Sequence, residues 1–201
     1  LNSRYKGVVG TDPRKLRPIA QKARDAGRPL VFAHTLAVGT HSYWLRYWLG
    51  AGLIHPDRDV AVITCPPPMM VKNMQQAQMD GFCVGEPWNG RAVEEGIGFT
   101  AATSRELWND HPEKVVVFTE QFAEKNPRTV KAALKALREA GEWCDDPENA
   151  KEIASVLARP EFLNTPESSI LSRFSNPFAH GDGREGTVEH GLTFCARNCN
   201  Y

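Results

Sequence analysis

Apolar residues recur along the chain in two alternating rhythms. Leu30 to Ala33, Val60 to Thr64 and Phe82 to Val84 are short runs rich in β-branched or aromatic residues, the length of buried strands. Between them, apolar positions return every three or four residues, which predicts helices over Thr40 to about Leu53, Met69 to Met79 and Trp88 to Glu95. An earlier helix starts at Asp12-Pro13, a cap followed by proline at the first helical position, and Gly27 closes it. Phe99 to Ala102 and Val115 to Phe118 predict two further strands. Asn126-Pro127 opens a helix that runs to about Cys144, and Pro147 opens another that runs to about Leu157. After Phe174 the chain turns to Gly, Asn, His and charge with little periodicity. Strands alternating with helices at this spacing predict an α/β fold with a largely parallel sheet.

Composition narrows the classes of function. The 201 residues carry 24 Lys+Arg against 24 Asp+Glu, so no long-range field recruits nucleic acid or an anionic membrane. No apolar run approaches a membrane span, and Leu1 to Arg14 lack the basic-then-apolar layout of a signal peptide. If the N-terminus is a cut end, that absence is silent about compartment. Five cysteines cannot all pair within the chain. Cys83 and Cys144 read as buried free thiols. Cys195 and Cys199, with His180, Asp182 and His190 upstream, fit no standard zinc spacing, and a loose tail is the expectation there. No metal and no cofactor is expected.

Candidate chemistry gathers where strands end and helices begin. The segment from Ala33 to His41 links a strand to a helix, so Thr40 can cap that helix and its first-turn N–H groups can attract a small anion, with His41 adding a side-chain donor. The plain alternative is a cap and a solvated histidine. Trp44, Tyr47 and Trp48 fall at helical spacing and read as packing, while Arg46 points elsewhere, free to hold a surface carboxylate. Pro66-Pro67-Pro68 reads as a stiff, extended loop, either a pocket wall or a plain connection. Gly85-Glu86-Pro87-Trp88 ends the third strand. Gly85 lets backbone approach closely, and Glu86 has no partner carboxylate or metal-ligand motif that would make it catalytic. Lys114, at a predicted strand start, reads as a solvated charge unless the fold sets it opposite His41. No nucleophile motif, phosphate loop or dinucleotide fingerprint occurs, so no enzyme is expected.

Four ordered motifs carry a resemblance: Thr40 through Leu49 (Thr-His-x-x-Trp-x-Arg-Tyr-Trp-Leu), Pro66 through Met74, Phe82 through Asn89 (Phe-Cys-Val-Gly-Glu-Pro-Trp-Asn), and His111 through Lys114. In these the chain resembles the periplasmic nitrate-binding proteins of ABC transporters, the nitrate/bicarbonate solute-binding family. The resemblance implies a type II periplasmic-binding-protein fold, two α/β lobes closing on a solute, of which this chain is about half. Residues 28–110 would be the second lobe and 111–175 the returning part of the first. Residues 1–27 and 176–201 would be connecting or terminal segments. Carried over position by position, Lys114 pairs with the anion, His41 donates to it, and Pro67, Val84 and Gly85 line the pocket. Bicarbonate-binding relatives place an acidic residue and calcium where Lys114 stands, so the lysine favours nitrate or nitrite, a planar acceptor with no donor of its own. The implied role is solute capture for membrane subunits of an ABC uptake system, in the periplasm or on the outer face of the inner membrane. A cytoplasmic nitrate sensor of the same fold, acting on a protein partner, is the other role open. A lone half-lobe would expose Val115, Val117 and one face of the Val130 to Trp143 helix. Either an N-terminal segment would then cover those surfaces, or another copy of the chain would, or the region would be poorly ordered.

Overall fold

The computed structural model describes residues 1–109, 111, 113–174, 179–184 and 193–195. The chain divides into two compact units, one of Leu1–His111 with Ala179–Gly186 and one of Pro112–Phe178 with Thr187–Tyr201.

The first unit is built on a three-stranded parallel sheet: β1 (Val31–His34) lies at the centre, with β2 (Ala61–Thr64) and β3 (Gly81–Cys83) on either side. His34 is in register with both Thr64 and Cys83, so all three strands end at one edge. The period-2 alternation of β1 assigns its side chains to two cores. Phe32 joins Leu16, Ala20, Leu45, Trp48 and Leu49 from α1 (Arg17–Asp25), α2 (Thr40–Ala51) and the 3₁₀ turn Pro13–Leu16. Ala33 instead meets Met70, Met74 and Trp88 from α3 (Pro67–Gln75) and α4 (Trp88–Glu94). Helices therefore cover both faces, and α5 (Ser104–Leu107) follows with a capping box made by Thr103 and Glu106. Close packing shows at Gly52, where a Cβ would stand 2.8 Å from the Pro13 carbonyl oxygen.

Buried Asp80, just before β3, ties the N-terminal segment to the sheet. Its carboxylate accepts the Tyr5 hydroxyl at 2.5 Å and the Val31 N–H at 2.8 Å, and it pairs with Arg4. Phe99 to Ala102 is not a strand. Beside it lies an isolated antiparallel bridge, Asn2↔Gly98, and the Thr100 N–H goes to the His180 carbonyl at 2.8 Å. Residues 179–184 are fastened here. Arg184 donates to the Thr100 carbonyl at 2.7 Å, and His180 Nε2 lies 3.4 Å from a Glu106 carboxylate oxygen.

The second unit holds α6 (Glu120–Lys125), α7 (Pro127–Cys144), α8 (Ala150–Leu157) and α9 (Glu167–Leu171), with no strand among its described residues. The strand expected over Val115–Phe118 does not form: an extended segment becomes a strand only where a neighbour takes its N–H and C=O groups. Val115 and Val117 are each 78% exposed. The α8 and α9 helices bury Ile153, Ala154 and Ile170, while α7 buries none of its residues. The Phe194 and Cys195 N–H groups both donate to Asp145 at 2.7 Å, so this part of the expected loose tail is held. Cys199 and His190 lie outside the described residues. Among the described residues no cluster of three His, Cys, Asp or Glu side chains could hold a metal ion.

Candidate functional site

The shared strand edge gathers three connections: Thr35 to His41 after β1, Cys65 to Pro67 after β2, and Val84 to Trp88 after β3. In a parallel α/β sheet this C-terminal edge is where ligands bind.

His41 sits in the first turn of α2, half-buried, and its Nδ1 lies 3.1 Å from the Thr35 hydroxyl. Thr40 does not cap this helix. Gly39 takes the cap position with extended backbone, no side chain caps the turn, and Thr40 is the first helical residue. Proline also corrects the reading of the triple-proline loop. Only Pro66 is extended; Pro67 and Pro68 open α3, because a fixed φ and a missing N–H suit the first helical positions. Pro67 is half-buried at the start of that helix.

Val84 and Gly85 leave β3 beside the histidine. A methyl group at Gly85 would stand 3.7 Å from His41 Nε2, ordinary van der Waals contact, so the Gly85 backbone lies close beside the imidazole. Asn89 Nδ2 donates to the Val84 carbonyl at 2.9 Å, and Glu86 Oε2 accepts the Gly90 N–H at 3.1 Å. Glu86 is therefore a brace for the start of α4, which accounts for it without catalysis. Arg46 pairs with Asp57 at 2.9 Å, the surface role its position suggested. His34, buried at the end of β1, has its pKa lowered by burial and then by the charge of Arg46, which favours the neutral ring.

The structure thus brings His41, Val84 and Gly85 to one edge, with Pro67 on the neighbouring strand's exit. Lys114 belongs to the second unit, where its ammonium is 84% exposed and pairs with Glu113 at 3.0 Å. His111, in the first unit, packs its ring 4.8 Å from Trp44 and lies 2.9 Å from the Ser104 hydroxyl. A cavity of about 100 Å³ opens on the α2 side of the sheet, walled by Phe32, Trp44, Trp48, Phe82 and Phe99. Asn89, Thr100 and Ser104 also line it, while His41 and Gly85 do not. Sequence reading missed Thr35 and Asn89, since nothing local marks a threonine six residues before a histidine as its partner. The Pro-Trp-Asn run at a helix start was the available signal for Asn89.

Known proteins match this chain in sequence and fold. Residues 1–158 match the NMT1-like family. The nitrate/nitrite binding protein NrtA of Nostoc sp. strain PCC 7120 is 40% identical over 194 residues, covering 96% of this chain and 44% of the relative. NrtA of Synechococcus elongatus strain PCC 7942 is 44% identical over 173 residues, 86% of this chain and 39% of the relative. The crystal structure of the periplasmic nitrate-binding protein NrtA from Synechocystis PCC 6803 superposes with a TM-score of 0.82 at 39% identity, covering 92% of this chain and 47% of that one. The chain spans about half the length of the relatives it matches, and its fold is that part of a periplasmic binding protein. On the match over residues 1–158, the chain belongs to the NMT1-like family.

Proposed function

We propose that this chain carries the anion-recognising part of a nitrate or nitrite receptor serving the membrane subunits of an ABC uptake system. The site is the edge built by His41, Thr40, Pro67, Val84 and Gly85, with Lys114 of the second unit supplying the positive charge. Residues 28–110 act as one lobe and 111–175 as the returning part of the other. Its action is binding, with no covalent step, and its place is the periplasm or the outer face of the inner membrane. The observation that carries this reading is the approach of the Gly85 backbone to His41 at the C-terminal edge of the sheet. Nitrate offers acceptor oxygens and no donor, so it requires donors and a cation around it. Among the described residues no helix is long and apolar enough to cross a membrane. The two named relatives are nitrate/nitrite-binding proteins, and the solved one is periplasmic, which favours capture for transport over sensing.

Titration calorimetry in a receptor of the relatives' full length tests the reading. Lys114→Glu replaces a donor by an acceptor of like charge to the anion and is expected to abolish nitrate binding while the melting temperature holds. Undiminished binding by that variant would remove Lys114 from the site. Calcium is expected to leave the wild-type affinity unchanged. A calcium-dependent affinity would point to bicarbonate instead.

A further inference from the structure

The anion-site reading above is the ground for a finer one, about what aims the site's backbone donor. Val84 and Gly85 share a peptide plane at the end of β3, and the carbonyl of that plane is held by the side chain of Asn89, in the first turn of α4, at 2.9 Å. The only cis peptide among the described residues is Glu86–Pro87, so the Val84–Gly85 bond is trans. In a planar trans peptide the C=O and N–H point to opposite sides. Holding the carbonyl toward Asn89 therefore turns the Gly85 N–H away from it. Among the described residues no hydrogen bond uses that N–H, and Gly85 is exposed.

Glycine makes the brace necessary. With no Cβ, residue 85 has little steric resistance to rotation of the plane before it, so the orientation of its N–H must come from outside. Asn89 is placed to supply it. The start of α4 that carries Asn89 is itself fastened by the bond from the Gly90 N–H to Glu86, and Trp88 beside it is buried in the core. A shorter side chain would leave the Val84 carbonyl, on a buried residue, without this donor.

We infer that Asn89 is a positioning residue for anion binding: its amide fixes the Val84–Gly85 peptide so that the Gly85 N–H faces a small oxyanion beside His41. Asn89 touches no ligand itself. It acts through a backbone group, so substitutions there change affinity without changing the charge of the site.

Nuclear magnetic resonance on the 15N-labelled 201-residue chain tests this, with sodium nitrate titrated against sodium chloride at constant ionic strength. In the parent chain a saturable, nitrate-dependent shift of the Gly85 amide is expected. Asn89→Ala, and the similarly shaped but donor-free Asn89→Leu, are expected to displace the ligand-free Gly85 resonance and weaken nitrate binding roughly tenfold, the scale on which lost supports cost a binding site. Asn89→Gln, which keeps a donor, is expected to lie closer to the parent in both measures. His41→Ala separates the two ideas. If it binds nitrate as well as the parent, or if the parent's Gly85 amide never responds, the anion site itself is wrong. If His41→Ala weakens binding while Asn89→Ala and Asn89→Leu keep both affinity and the Gly85 resonance, the site stands and the role of Asn89 is overturned.

Discussion

The two units use apolar residues in opposite ways. In the first, β1 sends Phe32 to one face and Ala33 to the other, and helices close over both. In the second, the 18-residue helix α7 buries none of its side chains, and Val115, Val117, Leu134, Leu137 and Trp143 are exposed. Both segments have amphipathic helices of ordinary quality. What separates them is a sheet: the first unit has a flat apolar surface for its helices to cover, and the described residues of the second have none. A helix stripe stabilises a fold only when something apolar lies against it.

Substitutions in the two units should therefore have unequal effects. The largest is expected at Phe32, which is 1% exposed and central to its core. Phe32→Ala should cost about 3–5 kcal/mol, the sum of lost transfer energy and the cavity left behind. Urea unfolding followed by tryptophan fluorescence measures this. Trp44, Trp48, Trp88 and Trp108 lie in the first unit and Trp143 in the second, so a Trp143→Phe background isolates the first unit's transition. A cost near zero would mean that the first unit is no better packed than the second.

A smaller effect is expected from acid at the fastening of residues 179–184. Burial works against ionisation of Glu106, yet the His180 ring 3.4 Å away, with its charge, and hydrogen bonds from Thr103 outweigh it and hold the pKa at about 2, below the usual 4.5. The folded state thus favours the carboxylate. Its contribution is fully present above about pH 4.5 and is lost as pH falls through about 2. Thermal melts of wild type and Glu106→Gln should differ at pH 6 and converge toward pH 2. Parallel curves across that range would show that the pair does not fasten the segment.

The smallest effect on stability is expected in the second unit. Leu134→Ser with Leu137→Ser should change the unfolding free energy by no more than about 0.5 kcal/mol per site, as surface substitutions do. The same pair should reduce any concentration-dependent self-association seen by sedimentation velocity, since exposed apolar faces seek cover. A loss as large as that of Phe32→Ala would mean that these side chains are buried in solution, and the contrast between the units would fail.

Much of this was legible in the residues themselves. The three strands, the helices between them and the starts at Asp12-Pro13 and Asn126-Pro127 follow from local signals: β-branched runs, apolar spacing, and proline at a first helical position. So does the close approach at Gly85, since glycine at a strand end lets backbone come near a neighbour. That β2 buries none of its four residues does not. Other features needed the tertiary structure because their causes are distant in sequence. Whether Val115–Phe118 becomes a strand depends on a neighbour to take its hydrogen bonds, and no property of four apolar residues supplies one. That Glu86 is a brace, and that Thr35 meets His41, are decided by where two side chains end up in space. Sequence by itself determined which segments could be strands or helices and which residue types stood at their ends. The sheet decided the rest, because only a shared strand edge brings donors from separate connections to one place.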